Sequence, residues 1–355
     1  MSTKENVMKE IVAQKIRQGR VLNAMSLQEL ADLIGVSKQM ISKYENGTSM
    51  PSSKTLIQLA KSLKVNLDYF FAPSSVELGD VNFRKRSSFS VKKVNALKED
   101  IKIQLSNYLE IENILKIDNS FENPLKKKKV NSLEDIENVV KELRNDWEIG
   151  FDPIHNIIQL LEDKEIKVIE IDEPQNNFDG LASIVNDKYP VIVVNKNFIV
   201  ERKRFTLVHE LGHLLLDLPE CDIKFEEQIC NRFASEFLFP KSMVLKEFGE
   251  GREGISFMEL IEVQRKYGIS IRAIVYRLKD CNILSENRVA EFYRKLNFDS
   301  RLKREVDAQR FQTPEVSNRF EQLVYRAYSQ ELISSSKAAS LLNININEVL
   351  ENSTM

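Results

Sequence analysis

Residues 205–216 read Phe205-Thr206-Leu207-Val208-His209-Glu210-Leu211-Gly212-His213-Leu214-Leu215-Leu216, and two of the chain's three histidines fall in this stretch. Leu207, Val208, Leu211, Leu214 and Leu215 recur at helical spacing. On a helix, positions four apart share a face one turn apart. His209 and His213 therefore offer two imidazoles to a single metal ion, and Glu210 stands beside the first of them.

The spacing is that of the H-E-x-x-H zinc motif, in which the glutamate serves as general base. Such a site needs a third ligand on a following helix and an open position for water. Downstream, Phe225, Ile229, Phe233 and Phe237 repeat every four residues and stop before Pro240, an amphipathic helix. Glu227 and Asn231 share one face of it. Glu227 is the expected third ligand, and Asn231 is placed to hold the outer nitrogen of a histidine. Glu226 points about 100° away and is the weaker candidate. Cys230 is the chemical rival, since thiolate also binds zinc, but reads better as a small buried residue on a packed helix.

Arg204 to His213, followed by Glu227-x-x-x-Asn231-x-Phe233-Ala234 and Phe239-Pro240, resembles the ImmA/IrrE metallopeptidases of bacteria and their phages. Asp179-Gly180-Leu181 and Ile192-Val193-Val194-Asn195 extend the resemblance, which covers roughly residues 150 to 245. Cysteine at 230 departs from the family's usual small residue. The resemblance implies a zincin-like (gluzincin) fold with a small sheet. It also implies a substrate that is another regulator, a repressor or a toxin partner, as in prophage and toxin-antitoxin systems. No residue stands out as the oxyanion partner; Tyr189, Tyr267 and Tyr276 are the tyrosines in view.

At 355 residues the chain is long enough for two or three domains. Three cysteines without regular spacing argue against a disulfide framework. No apolar leader and no run of eighteen apolar residues occur, so the expectation is a cytoplasmic protein with no membrane contact. The near-zero net charge of -2 hides an asymmetry. Residues 1–72 carry 10 Lys+Arg against 6 Asp+Glu, residues 73–150 carry 14 of each, and the remainder 27 against 33. The basic end is the candidate for nucleic acid.

Residues 1–72 predict a compact helical domain. Ser26 caps Leu27 to Ile34, with Glu29 closing a capping box. Gly35 permits a tight turn at positive φ. Ser37 caps the next helix, Lys38 to Gly47, which Gly47 ends, and Pro51 starts a new segment. Helix, glycine turn, helix is the DNA-binding helix-turn-helix arrangement. Lys38, Gln39, Ser42 and Lys43 lie on the solvent side of the second helix, where glutamine can read adenine and lysine can reach guanine or phosphate. Gln28 is placed for a phosphate. Ser26 to Pro51, with Ala31, Gly35, Val36, Ser37, Ile41 and Glu45-Asn46-Gly47, resembles the Xre/Cro repressor family, which implies a double-stranded DNA operator and a homodimer.

Ala72-Pro73-Ser74-Ser75 reads as a linker, and Phe83 to Ser88 as a basic stretch that either touches phosphates or is solvated. Val91 to about Ile117 carries a helical stripe, either a dimer seam or the wall of the next domain. Lys126 to Lys129 reads as a solvated charge run. Ser132 with Asp135 caps a helix to Trp147. Ile166 to Ile171 is a strand. Leu181–Val185 and Pro190–Val194 form a hairpin through Asn186-Asp187-Lys188-Tyr189, with Pro190–Val194 expected as the edge strand that a peptide would extend. His155 reads as a surface histidine. Residues 334–345 faintly repeat the rhythm of 26–37 but lack the glycine and a basic second helix.

The fold class is therefore α+β, mostly α. An all-helical helix-turn-helix domain (1–72) is followed by a helical linker region (73–149), a small-sheet metallopeptidase domain (150–245) and a C-terminal helical region (246–355). The leading functional reading is a bacterial or phage transcriptional regulator with a Zn²⁺-dependent endopeptidase domain that cleaves a partner or itself under a signal. His209, His213 and Glu227 would hold the metal, and Glu210 would be the catalytic base. The alternative is a non-enzymatic DNA-binding regulator or antitoxin whose metal site is structural or sensory. The presence of Glu210 favours the enzyme, since a structural site has no use for an uncoordinated base.

Overall fold

The computed structural model describes residues 3–71, 90–117, 120–126, 128–174, 178–218 and 222–353. The linker at 72–75, the basic stretch at 83–88 and Lys127 fall outside them. In chain order, the first five helices are α1 (Thr3–Leu22), α2 (Leu27–Ile34), α3 (Lys38–Glu45), α4 (Ser53–Leu63) and α5 (Val91–Ile114). Then come α6 (Asp135–Asp146), α7 (Ile157–Asp163), strands β1 (Lys167–Ile171), β2 (Gly180–Val185) and β3 (Tyr189–Asn195), and helices α8 (Val200–Leu215) and α9 (Ile223–Leu238). The last eight are α10 (Lys241–Phe248), α11 (Phe257–Tyr267), α12 (Ile271–Asp280), α13 (Glu286–Phe298), α14 (Ser300–Ala308), α15 (Arg319–Ser329), α16 (Ser335–Leu342) and α17 (Ile346–Ser353). The chain divides into two compact units, residues 1–119 with 318–355, and residues 120–317. The mostly helical α+β class holds.

In the first unit the helix-turn-helix forms as its caps dictate. Ser26 Oγ accepts from Glu29 N–H while the Glu29 carboxylate accepts from Ser26 N–H. Gly35 takes φ 71°, and Ser37 caps α3 through Met40 N–H. Leu30, Ala31, Ile34, Ile41, Leu56 and Leu59 close the core. Arg20 on α1 grips the end of α3, its Nε 2.6 Å and Nη2 2.9 Å from the two Glu45 oxygens. The stripe on α5 buries against α1 and α15 within this unit.

The C-terminal helices repeat the motif in detail. Ser334 caps α16, which has eight residues like α2. Asn343 takes the left-handed place of Gly35 at φ 53°, the one role in which asparagine substitutes readily for glycine. Ile344 N–H bonds Ala339 O at 3.1 Å, as Val36 N–H bonds Ala31 O at 3.0 Å. Val349 is buried at the position of Ile41. The second helix differs in charge: α3 exposes Lys38 and Lys43, whereas α17 carries Glu348 and Glu351 and no cation.

In the second unit the sheet order is β1-β3-β2, with β3 parallel to β1 and antiparallel to β2. The expected hairpin forms, and Asn186 and Asp187 both take φ 54° at its turn. Its edge is the other one. Pro190–Val194 lies in the centre of the sheet, buried on both faces, and β2 is the edge strand that packs on α8. Asp135 accepts from Asn131 and Ser132 N–H just before α6, but the Ser132 hydroxyl does not cap the helix, which starts three residues later. Ile192, Val194, Leu207, Val208, Leu211, Phe233 and Phe237 join sheet, α8 and α9 in one core. Helices α10 to α14 surround a second core around Phe239, Tyr267 and Leu278.

Two buried ion pairs fix α8 and α9 to the rest of this unit. Arg204 Nη1 lies 2.6 Å from Glu315 Oε2, both fully buried, and its other donors reach the carbonyls of Ile154, His155 and Gly268. Arg277 on α12 pairs with Glu236 on α9. Removing either partner of such a pair leaves the other charge buried and uncompensated.

Candidate metal centre

The site grows from two crossing helices. Gly212 lets them approach: a Cβ there would stand 3.2 Å from Phe233 Cδ1 and 3.4 Å from Cys230 Sγ. With α8 and α9 this close, His209 and His213 on one face of α8 meet Glu227 on α9. One donor atom from each of the three residues lies within 4.8 Å of the others, the group among the described residues that could hold a metal ion. The two Nε2 atoms are 3.1 Å apart. Glu227 Oε2 is 3.4 Å from His209 Nε2, and its Oε1 is 3.6 Å from His213 Nε2.

The outer nitrogens are held. His209 Nδ1 meets Asn231 Oδ1 at 3.0 Å, and His213 Nδ1 meets Glu226 Oε1 at 3.1 Å. An Nδ1–H donating to each oxygen would leave a lone pair on each Nε2, and the two Nε2 atoms stand together beside the Glu227 carboxylate. Three such donors repel one another unless a cation lies between them. Nitrogen and oxygen ligands about 2.0–2.2 Å from a common ion stand at separations of this size, so the residues fit a divalent metal.

The sequence-derived residues fall into place unequally. Asn231 contacts His209 as expected. Glu226, set aside as a ligand, is the partner of His213; spacing on α9 alone could not show which residue the second imidazole would find. Cys230 is buried, with Sγ 3.4 Å from His213 Nδ1, on the outer side of the ring and away from the Nε2 atoms. Glu210 is buried against β2: a Cβ on Gly180 would stand 3.0 Å from Glu210 Cγ and 3.1 Å from its Oε1. Of the three tyrosines, Tyr267 is buried, and that burial, together with the Glu247 carboxylate that accepts from its hydroxyl, pushes its pKa up. Tyr189 lies at the hairpin end under Lys188. Tyr276 is half exposed and lines a cleft that also contains Asn231. His155 is exposed, as expected.

In the helix-turn-helix, Gln28, Lys38, Gln39 and Lys43 are exposed and Ser42 is half-buried. Gln28 Nε2 donates to Asp32 Oδ1 at 2.7 Å, and Ser42 Oγ accepts from Asn46. No helix among the described residues is long and apolar enough to cross a membrane.

Residues 16–70 match the family described as helix-turn-helix, and residues 161–279 match the IrrE N-terminal-like domain, a peptidase M78 family. The chain is 45% identical over 69 residues to a transcriptional regulator in the ATPase CF(0) region of Rhodospirillum rubrum, covering 19% of this chain and 62% of that protein. It is 41% identical over 68 residues to the HTH-type transcriptional regulator y4wC of Sinorhizobium fredii, 19% of this chain and 48% of that one. The SPbeta prophage-derived HTH-type transcriptional regulator YonR of Bacillus subtilis is 34% identical over 56 residues, 16% of this chain and 52% of its own. The chain thus spans about half the length of the curated relatives it matches. It carries a helix-turn-helix domain of the Xre type followed by an IrrE N-terminal-like domain of the peptidase M78 family.

Proposed function

We propose that this chain is an operator-binding transcriptional regulator whose M78 domain is a zinc-dependent endopeptidase acting on a partner regulator or on itself. The observation that carries the reading is the convergence of the His209, His213 and Glu227 donors, with the outer imidazole nitrogens held by Asn231 and Glu226. A bound Zn²⁺ would supply Lewis acidity, polarising the scissile carbonyl and making water acidic near neutral pH. The chain's own residues do the rest. Asn231 and Glu226 fix both rings in the tautomer that presents Nε2. Glu210 takes the proton of the attacking water and hands it to the leaving amine. Its burial against the Gly180 backbone keeps the carboxylate in one place and limits its access to bulk water.

At the other end, α3 would enter the major groove, with Gln39 reading a base and Lys38 and Lys43 at guanine or phosphate. Two copies would be needed for a palindromic operator. The experiment for the metal half is dialysis of purified full-length protein against trace zinc. About one Zn²⁺ per chain, lost in Glu227→Ala, supports the reading; no retained metal at neutral pH would remove it.

A further inference from the structure

A cleft of ≈ 710 Å³ opens beside the metal-ligand group, walled by α8, α9, α12 and α13. Two of its residues tie it to that group. Asn231 lines the cleft and contacts His209. Phe205 lines it one turn before His209 on α8, on the same face. An extended chain lying against His209 would therefore run into this space.

The lining is of two kinds. Phe205, Tyr276 and Tyr293 offer aromatic surface, and four cations, Arg202, Arg232, Arg272 and Lys279, outnumber two acids, Glu201 and Asp280. Glu201 is turned inward, its Oε1 accepting from Gln264 Nε2 and Phe311 N–H. Arg232 is the most telling. Its Nη1 is 2.6 Å from Asp280 Oδ2, yet neither Nη1 nor Nε, both buried, makes a hydrogen bond. The contact is an ion pair out of line for N–H donation. Asp280 already faces the buried edge of this guanidinium, so Arg232 adds a fixed positive charge to the cleft wall, for which a carboxylate is the complementary ligand. Arg202 is held by Asp179 and lies over the Phe198 ring, whereas Arg272 and Lys279 can respond. Arg272 pairs with Asp307 at 2.7 Å where both are well exposed, and Lys279 reaches Glu286 at only 3.4 Å while lying over the Tyr276 ring. Exposed pairs of this kind hold little energy and exchange partners readily.

We propose that this cleft binds a peptide bearing an acidic side chain next to an aromatic or aliphatic one. The carboxylate lies among Arg232, Arg272 and Lys279, and the apolar side chain rests on Phe205 and Tyr276. The inference rests on the peptidase reading for the peptide's fate, but its binding is independent of cleavage.

The test uses full-length Glu210→Gln protein, so that no probe is cut, and fluorescence anisotropy at about 150 mM salt, where long-range attraction is screened. The probes are a fluorescein-labelled decapeptide alternating Glu and Phe and its counterpart alternating Lys and Phe. The acidic peptide should bind at least about tenfold tighter. Arg272→Glu with Lys279→Glu should abolish or invert that preference, with thermal unfolding unchanged, and Tyr276→Ala should weaken the acidic peptide several-fold. Equal affinity for the two peptides, or a preference that survives charge reversal, overturns the proposal. Wild-type protein is assayed for cleavage in parallel. Acidic preference without cleavage would keep the subsite and remove the peptidase; cleavage without acidic preference would do the reverse.

Discussion

Gly180 on β2 lies so close to Glu210 on α8 that a Cβ at the glycine would stand 3.1 Å from Glu210 Oε1 and 2.7 Å from Thr206 Cγ2. The edge strand and the proposed base are therefore in direct contact through a position where a side chain does not fit. Gly180 does not take a positive φ, so the demand is for space alone. Gly180→Ala should move Glu210 and lower peptidase turnover by about one to two orders of magnitude, a sub-ångström misplacement being costly in a proton-transfer site. Zinc content should stay at wild type. Turnover unchanged from wild type would show that Glu210 is not held by this contact.

The metal group makes a graded prediction. Glu227→Ala should lose zinc outright. Glu226→Gln should weaken zinc about 10–100-fold, the usual effect of disturbing a group that orients a ligand. Cys230→Ser should change it little, because Sγ sits by His213 Nδ1 and not by Nε2. Competition against a fluorescent chelator separates the three. Loss of zinc in Cys230→Ser with retention in Glu227→Ala would mean that thiolate, not carboxylate, completes the site.

Glu29 carries a pH dependence in the DNA-binding half. The Lys92 ammonium first, and then Ser26 N–H, hold its carboxyl down at about 2. A folded pKa below the unfolded value means stability that is present above about pH 4.3 and lost as pH falls toward 2. Carbon-detected NMR titration should place the Glu29 midpoint well below that of an exposed glutamate, and Lys92→Ala should raise it. A midpoint near 4 in the wild type would refute the Lys92 contact. Glu29 is fully exposed, so the contribution to stability is small at high salt.

For DNA, Gln39→Ala should cost roughly 1–3 kcal/mol and relax one base position of the operator. Lys38→Ala and Lys43→Ala should weaken all sequences more evenly and flatten the salt dependence. Footprinting with quantitative titration distinguishes the two patterns. Absence of any protected site at low salt would exclude this surface as the reader.

Local chemistry makes much of this legible in the sequence. Ser26, Glu29, Gly35 and Ser37 write the first helix-turn-helix in caps and one turn, and the four-residue spacing of His209 and His213 fixes their shared face. What escaped depended on partners distant in sequence. Which outer nitrogen Glu226 meets is set by how α9 crosses α8, a matter of packing at Gly212. The central place of β3 did leave a trace: Val191-Ile192-Val193-Val194 is an unbroken apolar run, as expected of a strand buried on both faces, whereas β2 is only partly buried. The C-terminal repeat was legible as a rhythm, but Asn343 standing in for glycine hid the turn.

The most direct measurement concerns Glu210. Wild-type and Glu210→Gln chains, each co-expressed with the product of the neighbouring reading frame, are put under DNA damage or the relevant stress, and both proteins are followed by intact mass. Zinc content and melting temperature serve as controls and should match. One specific fragment should appear in the wild type and be absent from Glu210→Gln, with operator release failing in the variant. If both proteins stay intact in both strains while operator release proceeds equally, hydrolysis at this site is not how the regulator works.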